Sequence, residues 1–216
     1  MTSPIDTPER RAHLRAAFEA HALRCPPQAD LAAAYIDLLA DPLAFSRERL
    51  AGHFTGSAWL VSGDGQRVLL THHRKLQRWL QLGGHADGDA DLAAVALREA
   101  EEESGLQGLS LEGGLFDLDR HWIPERGEVP GHWHYDVRYV VRAGSDEVFA
   151  VSEESLALAW VSIEDLLIAA SSDESLQRMA RLWQALRQAR QQASRAPADP
   201  GVTPSSQPGF APGASG

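Results

Sequence analysis

Glu99, Glu102 and Glu103 are the residues whose type and spacing could carry chemistry, standing at i, i+3 and i+4 of the run Leu-Ala-Ala-Val-Ala-Leu-Arg-Glu-Ala-Glu-Glu-Glu-Ser that ends at Ser104. On a helix these three carboxylates share one face within about a turn, while Glu101 points elsewhere. Left alone the arrangement is unfavourable. Like charges at this spacing cost a few tenths of a kcal/mol each, and acids near a helix C-terminus oppose the macrodipole by roughly 0.3–1 kcal/mol. A solvated acidic face screened by salt is one way to tolerate this. A hard divalent cation is the other, because Mg²⁺ and similar ions prefer carboxylate oxygen and are often shared with substrate phosphates.

The elements that must position these acids follow from patterning. Asp91 to Ser104 is predicted helical, with Asp89 or Asp91 as N-cap and Gly105 where a left-handed residue ends many helices. Ala93, Leu97 and Ala100 form the expected apolar stripe opposite the acids. Upstream, Ser57 to Val61 and Arg67 to Thr71 read as strands joined by the turn-rich Ser62-Gly63-Asp64-Gly65. Downstream, strands are expected around Leu115 to Leu118, His132 to Arg142 and Ala157 to Val161. A helix follows from about Ser162, and a longer one from Ser175 to about Gln191. The first fifty residues read as helical over Arg10 to Leu23 and Ala29 to Leu39. Beyond Ala193 the chain is rich in Pro, Ser and Gly with few large apolar groups, so it is expected to be disordered. The expected organisation is a helical extension over 1–51, a layered domain over 52–192 and a tail over 193–216.

Around the acids the order is Gly84, five residues, Ala90, seven residues, then Arg98-Glu99-Ala100-Glu101-Glu102-Glu103-Ser104-Gly105-Leu106. This resembles the Nudix box of the Nudix hydrolase (MutT-like) superfamily, and Trp79-Leu80-Gln81-Leu82-Gly83-Gly84-His85 is similar to the strand and turn that lead into it. One position departs: Ala90 stands where the box has its first glutamate, with Asp89 and Asp91 on either side. The resemblance implies an α/β fold, a Nudix-type α/β/α sandwich with a mixed sheet. It also implies metal-dependent hydrolysis of a diphosphate linkage in a nucleoside diphosphate derivative, of ADP-ribose or nucleotide-sugar type, with Mg²⁺ (or Mn²⁺) as cofactor. By position in the box, Glu102 and Glu103 are implied metal ligands, Glu99 a ligand or proton acceptor, and the Gly83 carbonyl a backbone ligand. Arg98 is implied to hold a glutamate in place. The missing acid at Ala90 motivates a second expectation, a Nudix-fold nucleotide-binding or regulatory module with weak turnover.

The stretch from His132 to Arg138 is the next source of candidates. As a strand it puts His132, His134, Asp136 and Arg138 on one face and Trp133, Tyr135, Val137 and Tyr139 on the other. The polar face could line a substrate pocket or simply meet solvent. His85 and His121 read as loop residues rather than ligands. Trp79, Trp122 and Trp133 could stack a base or fill core. Glu153 and Glu154 sit where some Nudix proteins place an additional acid, which makes Glu154 a substrate-site candidate. Rival motifs fail on their own terms: Asp87-Gly88-Asp89-Ala90-Asp91 opens like a calcium loop but has Leu92 and Arg98 where that loop needs glycine and glutamate. Phosphate-loop, dinucleotide and serine-nucleophile signatures are missing.

Composition limits the partners. Across 216 residues, 30 acidic and 20 basic side chains give a formal charge of -10, which repels a nucleic-acid backbone. A small phosphorylated substrate remains compatible where a cation reverses the local potential. Hydropathy supports no membrane span, the polar start carries no secretory signal, and the lone Cys25 forms no internal disulfide, so a cytoplasmic location is expected. The amphipathic N-terminal helices leave a homodimer open.

Overall fold

The computed structural model describes residues 6–74, 76–151, 155–169 and 173–195 of the chain. Two helices come first, α1 (Pro8–Arg24) and α2 (Ala29–Leu38), separated by a short 3-10 turn at Pro26–Gln28. Pro8 sits in the first turn of α1, and Thr7 caps it by accepting from Arg10 N. Strands β1 (Gly52–Val61), β2 (Arg67–His73), β3 (Arg78–Leu80) and β4 (Leu82–His85) lead to α3 (Leu92–Ser104). Then follow β5 (Ser110–Ile123), β6 (His132–Arg142), β7 (Ser155–Ser162), α4 (Ile163–Ile168) and α5 (Glu174–Arg195). The last helix thus takes in residues 193–195, which the sequence assigns to the tail; the rest of the expected tail lies outside the described residues. The chain divides into two compact units, Met1–Arg181 and Leu182–Gly216, and the described part of the second is the end of α5.

The sheet is mixed, in the order β3-β2-β1-β6-β5, with β4 pairing β1 and β7 pairing β2. Its centre is the parallel β1/β6 pair, in register from Gly52 opposite Trp133 to Val61 opposite Arg142. β4 runs antiparallel along Thr55–Ala58 of β1. Because successive side chains alternate faces, Phe54 and Tyr135 go to one side while His53, Thr55, His134 and Asp136 go to the other.

The first side carries α1, α2 and α3. Leu14, Phe18, Tyr35, Leu38 and Phe45 share one buried core with Phe54, Leu92, Val95, Ala96 and Val137. Gly56 brings α3 close, since a Cβ there would lie 2.8 Å from the Leu92 carbonyl oxygen. Helices α1 and α2 and the turn that carries Phe45 therefore pack into the same core as the sheet. Ala90 belongs to that core and is 1% exposed. Ala90→Glu is expected to destabilise the fold by at least roughly 1–3 kcal/mol from overpacking alone, with carboxylate desolvation adding to it. Urea denaturation reads the stability, and a parallel turnover assay should show no gain in activity.

On the second side, polar residues are buried too. Arg138 donates through Nε to Asp136 and through Nη1 to Asp117, both at 2.9 Å, and pairs with Asp119 at 3.1 Å. Arg178 of α5 adds a contact of 2.8 Å to Asp117 and one of 2.9 Å to Asp119. Desolvation pushes the Asp119 carboxyl up, but the His121 hydrogen bond and the two guanidinium groups outweigh it and hold the carboxyl well below its ordinary range. No helix among the described residues is long and apolar enough to cross a membrane.

Candidate active site

Helix α3 has both ends specified locally. Asp91 accepts from Ala94 N at its start, and Gly105 takes the left-handed conformation, φ +70°, at its end. Its buried residues are Leu92, Val95, Ala96, Ala100 and Ser104. The expected stripe of Ala93, Leu97 and Ala100 is thus corrected: Ala93 and Leu97 are half-buried flanks. At about 100° per residue, Glu99 and Glu103 fall within roughly 20° of the direction set by Leu92, so they point at the sheet rather than away from it. Glu102 falls to the side.

Two glycines let these acids approach. Glu103 Oε1 accepts from Gly83 N at 2.9 Å, and a Cβ on Gly84 would overlap the Glu99 carboxylate. A Cβ on Gly83 would itself lie 2.7 Å from Ser57 Cα, so the strand must carry glycine there to pair with β1. Arg98 Nη2 donates to Glu99 Oε1 at 3.2 Å, and Arg98 Nε lies 3.9 Å from Glu102 Oε1. The Glu102 side chain is 64% exposed. The aspartates beside Ala90 are engaged elsewhere: Asp89 accepts from Arg10 Nη1 at 3.0 Å, and Asp91 lies 3.8 Å from Arg10 Nη2 while capping α3.

A cleft of about 630 Å³ opens against this edge. Its wall includes Gly83, Gly84, Glu99, Gln81 and Asp136, with Arg126 and Pro130 from the β5–β6 connection. Asp136 is held from behind, accepting from Thr55 Oγ1 at 2.9 Å, Ser57 Oγ at 2.7 Å and Gln81 Nε2 at 3.2 Å. Arg138 does not reach the cleft. It is 2% exposed, and three carboxylates take up its guanidinium, whereas the sequence expectation was a substrate contact. Trp79, Trp122 and Trp133 also lie outside the cleft wall and are 39%, 51% and 37% exposed. They fill no core. Glu153 and Glu154 lie outside the described residues.

His132 and His134 do line the cleft, and two residues read as loop positions join that face: His85 ends β4 and His121 lies in β5. His53, which sequence patterning did not single out, completes the group. Burial, with Arg47 and the neighbouring imidazoles, pulls His85 down to about 4. Burial and the surrounding histidines pull His134 down to about 2. In both His85 and His134 burial thus favours the neutral ring.

Several solved structures are similar to part of this chain. A hydrolase of the NUDIX family from Clostridium perfringens has 27% identity and a TM-score of 0.48, the match covering 62% of this chain and 97% of that one. A C. elegans Ap4A hydrolase has 17% identity and a TM-score of 0.50, over 63% of this chain and 98% of that one. A MutT protein from Methanosarcina mazei Go1 has 18% identity and a TM-score of 0.49, over 63% and 95%. No curated protein matches the chain. Residues 53–182 match the sequence profile of the NUDIX domain, and the chain belongs to that family.

Proposed function

We propose that this protein is a metal-dependent hydrolase that cleaves a diphosphate linkage in a nucleoside diphosphate derivative, with ADP-ribose or nucleotide-sugar compounds as the substrate type. The observation that carries the reading is the seating of Glu99 and Glu103 on the Gly83-Gly84 edge, with Glu99 facing the cleft. Nudix hydrolases generally use divalent metal ions. The donor set of Glu99, Glu102, Glu103 and the Gly83 carbonyl is all oxygen, which suits Mg²⁺ or Mn²⁺. When bound, such an ion neutralises the diphosphate and lowers the pKa of water.

The chain's own groups supply the rest. Gly83 N–H fixes the direction of the Glu103 carboxylate, and Arg98 holds Oε1 of Glu99 by a charge-assisted hydrogen bond. Glu99 then accepts the proton of the water that attacks phosphorus. Arg126 offers a guanidinium to the phosphates from the cleft wall. The substrate is a small nucleotide derivative, and nucleic acid and membrane are not partners in this reading; the protein acts in the cytoplasm.

A panel of ADP-ribose, nucleotide sugars, dinucleoside polyphosphates and nucleoside triphosphates, incubated with Mg²⁺ or Mn²⁺, tests the reading. Release of a nucleoside monophosphate from a diphosphate-linked compound is expected. Tight binding of one compound without any turnover would instead establish a nucleotide-binding module. That second reading is favoured by the buried Ala90 and by the engagement of both neighbouring aspartates with Arg10. Gly84→Ala gives a geometric check. Its methyl displaces the flexible end of Glu99 rather than backbone, so stability should change by about 1 kcal/mol or less while turnover falls about 100-fold. Steady-state kinetics beside thermal melts would separate the two effects.

A further inference from the structure

Four imidazoles converge on the polar face of the sheet, from three adjacent strands. The parallel register sets His53 of β1 opposite His134 of β6, and the antiparallel register sets His85 of β4 opposite Thr55, two residues along from His53. His132 stands two residues from His134 and therefore on the same face. One ligand atom from each of the four lies within 4.8 Å of the others.

The hydrogen bonds around the group fix which nitrogens face inward. His132 Nδ1 donates to the Pro130 carbonyl at 2.9 Å, which leaves its Nε2 with a lone pair. That Nε2 lies 3.2 Å from His134 Nε2. His53 Nδ1 faces the Arg49 carbonyl at 3.4 Å, while its Nε2 is buried with no hydrogen-bond partner among the described residues. His53 itself is 3% exposed. A buried polar nitrogen without a partner is costly to the fold unless something completes it. Backbone carbonyls that orient the outer nitrogens of imidazoles are the usual support of metal-ligating histidines.

We propose that His53, His85, His132 and His134 form a binding site for a divalent transition-metal ion of the Zn²⁺ type, separate from the carboxylate edge of α3. Neutral imidazole suits Zn²⁺ and its late first-row neighbours, whereas Mg²⁺ takes oxygen ligands, so the two donor sets in this cleft select different ions. Zn–N bonds of about 2.0–2.1 Å place tetrahedral ligand atoms about 3.3 Å apart, which the 3.2 Å contact between His132 and His134 already meets. The other rings need to draw in by roughly an ångström. Four imidazoles close a tetrahedral shell, so the ion would tie β4, β1 and β6 together at the cleft wall.

The proposal does not rest on the hydrolase reading, and its test reads metal rather than turnover. Full-length protein stripped with chelator is titrated with ZnCl₂ and CoCl₂ by calorimetry, and metal content is measured after gel filtration. One equivalent of Zn²⁺, retained in excess Mg²⁺, is expected, with Co²⁺ giving the visible ligand-field bands of an imidazole-bound ion. His53→Ala and His134→Ala should each weaken Zn²⁺ at least about 100-fold, while Glu99→Gln and Glu103→Gln leave it unchanged. Circular dichroism checks folding, and His85→Gln replaces any alanine variant that fails it. Wild-type protein that retains no stoichiometric Zn²⁺, or binding lost with the glutamates and kept without the histidines, overturns the site.

Discussion

Glu99→Gln is expected to reduce metal-dependent turnover by about 100- to 10,000-fold, the range for removing a positioned acid or base, with little change in stability. The substitution keeps size and shape, so the amide still fits over Gly84. What it removes is the negative charge and the proton acceptor together. Its neighbours make the test sharp: Arg98 loses its charged partner at 3.2 Å but keeps Glu102 within 3.9 Å, so no buried cation is stranded. Glu101→Gln on the same helix is the control, because its side chain has no place at the Gly83-Gly84 edge and its rate should stay within about twofold of the parent. A fall in kcat with KM unchanged is the expected split, since a proton acceptor acts in the transition state. Equal rates for the two variants would remove Glu99 from the reaction.

Much of the frame that places Glu99 can be read along the chain. The caps of α3 were legible because Asp91 and Gly105 act within one turn of their own positions, and β6 follows the expected bounds because polar and aromatic or apolar residues alternate from His132 to Tyr139. The docking face of α3 was not. Ala93 and Leu97 are apolar, but Leu92, Val95 and Ala96 make the narrower stripe, and only the approach allowed by Gly56 decides between them. The choice matters, because it turns Glu99 and Glu103 from the far side of the helix to the sheet side. The histidine group shows a second limit. His132 and His134 are joined by simple alternation, but His53 and His85 reach them only through the parallel β1/β6 register and the β4/β1 pairing. Neither pairing is encoded locally. Arg138 shows a third: its polar face is covered, and a strand pattern alone does not distinguish a buried ionic network from a wet pocket wall.

That network makes Arg138→Leu the substitution with the largest expected effect on stability. Arg138 and Asp117 have side chains 2% and 0% exposed, so removing the guanidinium leaves carboxylates in a place that water does not reach. Breaking a buried pair from one side costs about 3–5 kcal/mol, a large part of the roughly 5–15 kcal/mol that holds a domain folded. Arg178 limits the damage, because it still touches Asp117 at 2.8 Å and Asp119 at 2.9 Å, but Asp136 keeps only the hydroxyls of Thr55 and Ser57 and the amide of Gln81. Urea denaturation with matched m-values would measure the loss, and a change under about 1 kcal/mol would show that the carboxylates find other partners. Adding Asp136→Asn to Arg138→Leu should recover part of it, since the stranded charge rather than the missing contact is the larger cost. Acid gives an independent sign. The Asp119 carboxyl is held below its unfolded value, so its contribution is present above the ordinary carboxylate pKa and is lost as pH falls through the lower folded value. Arg138→Leu raises that folded value toward the unfolded one, so the Asp119 part of the parent's acid-dependent loss of stability should shrink in the variant.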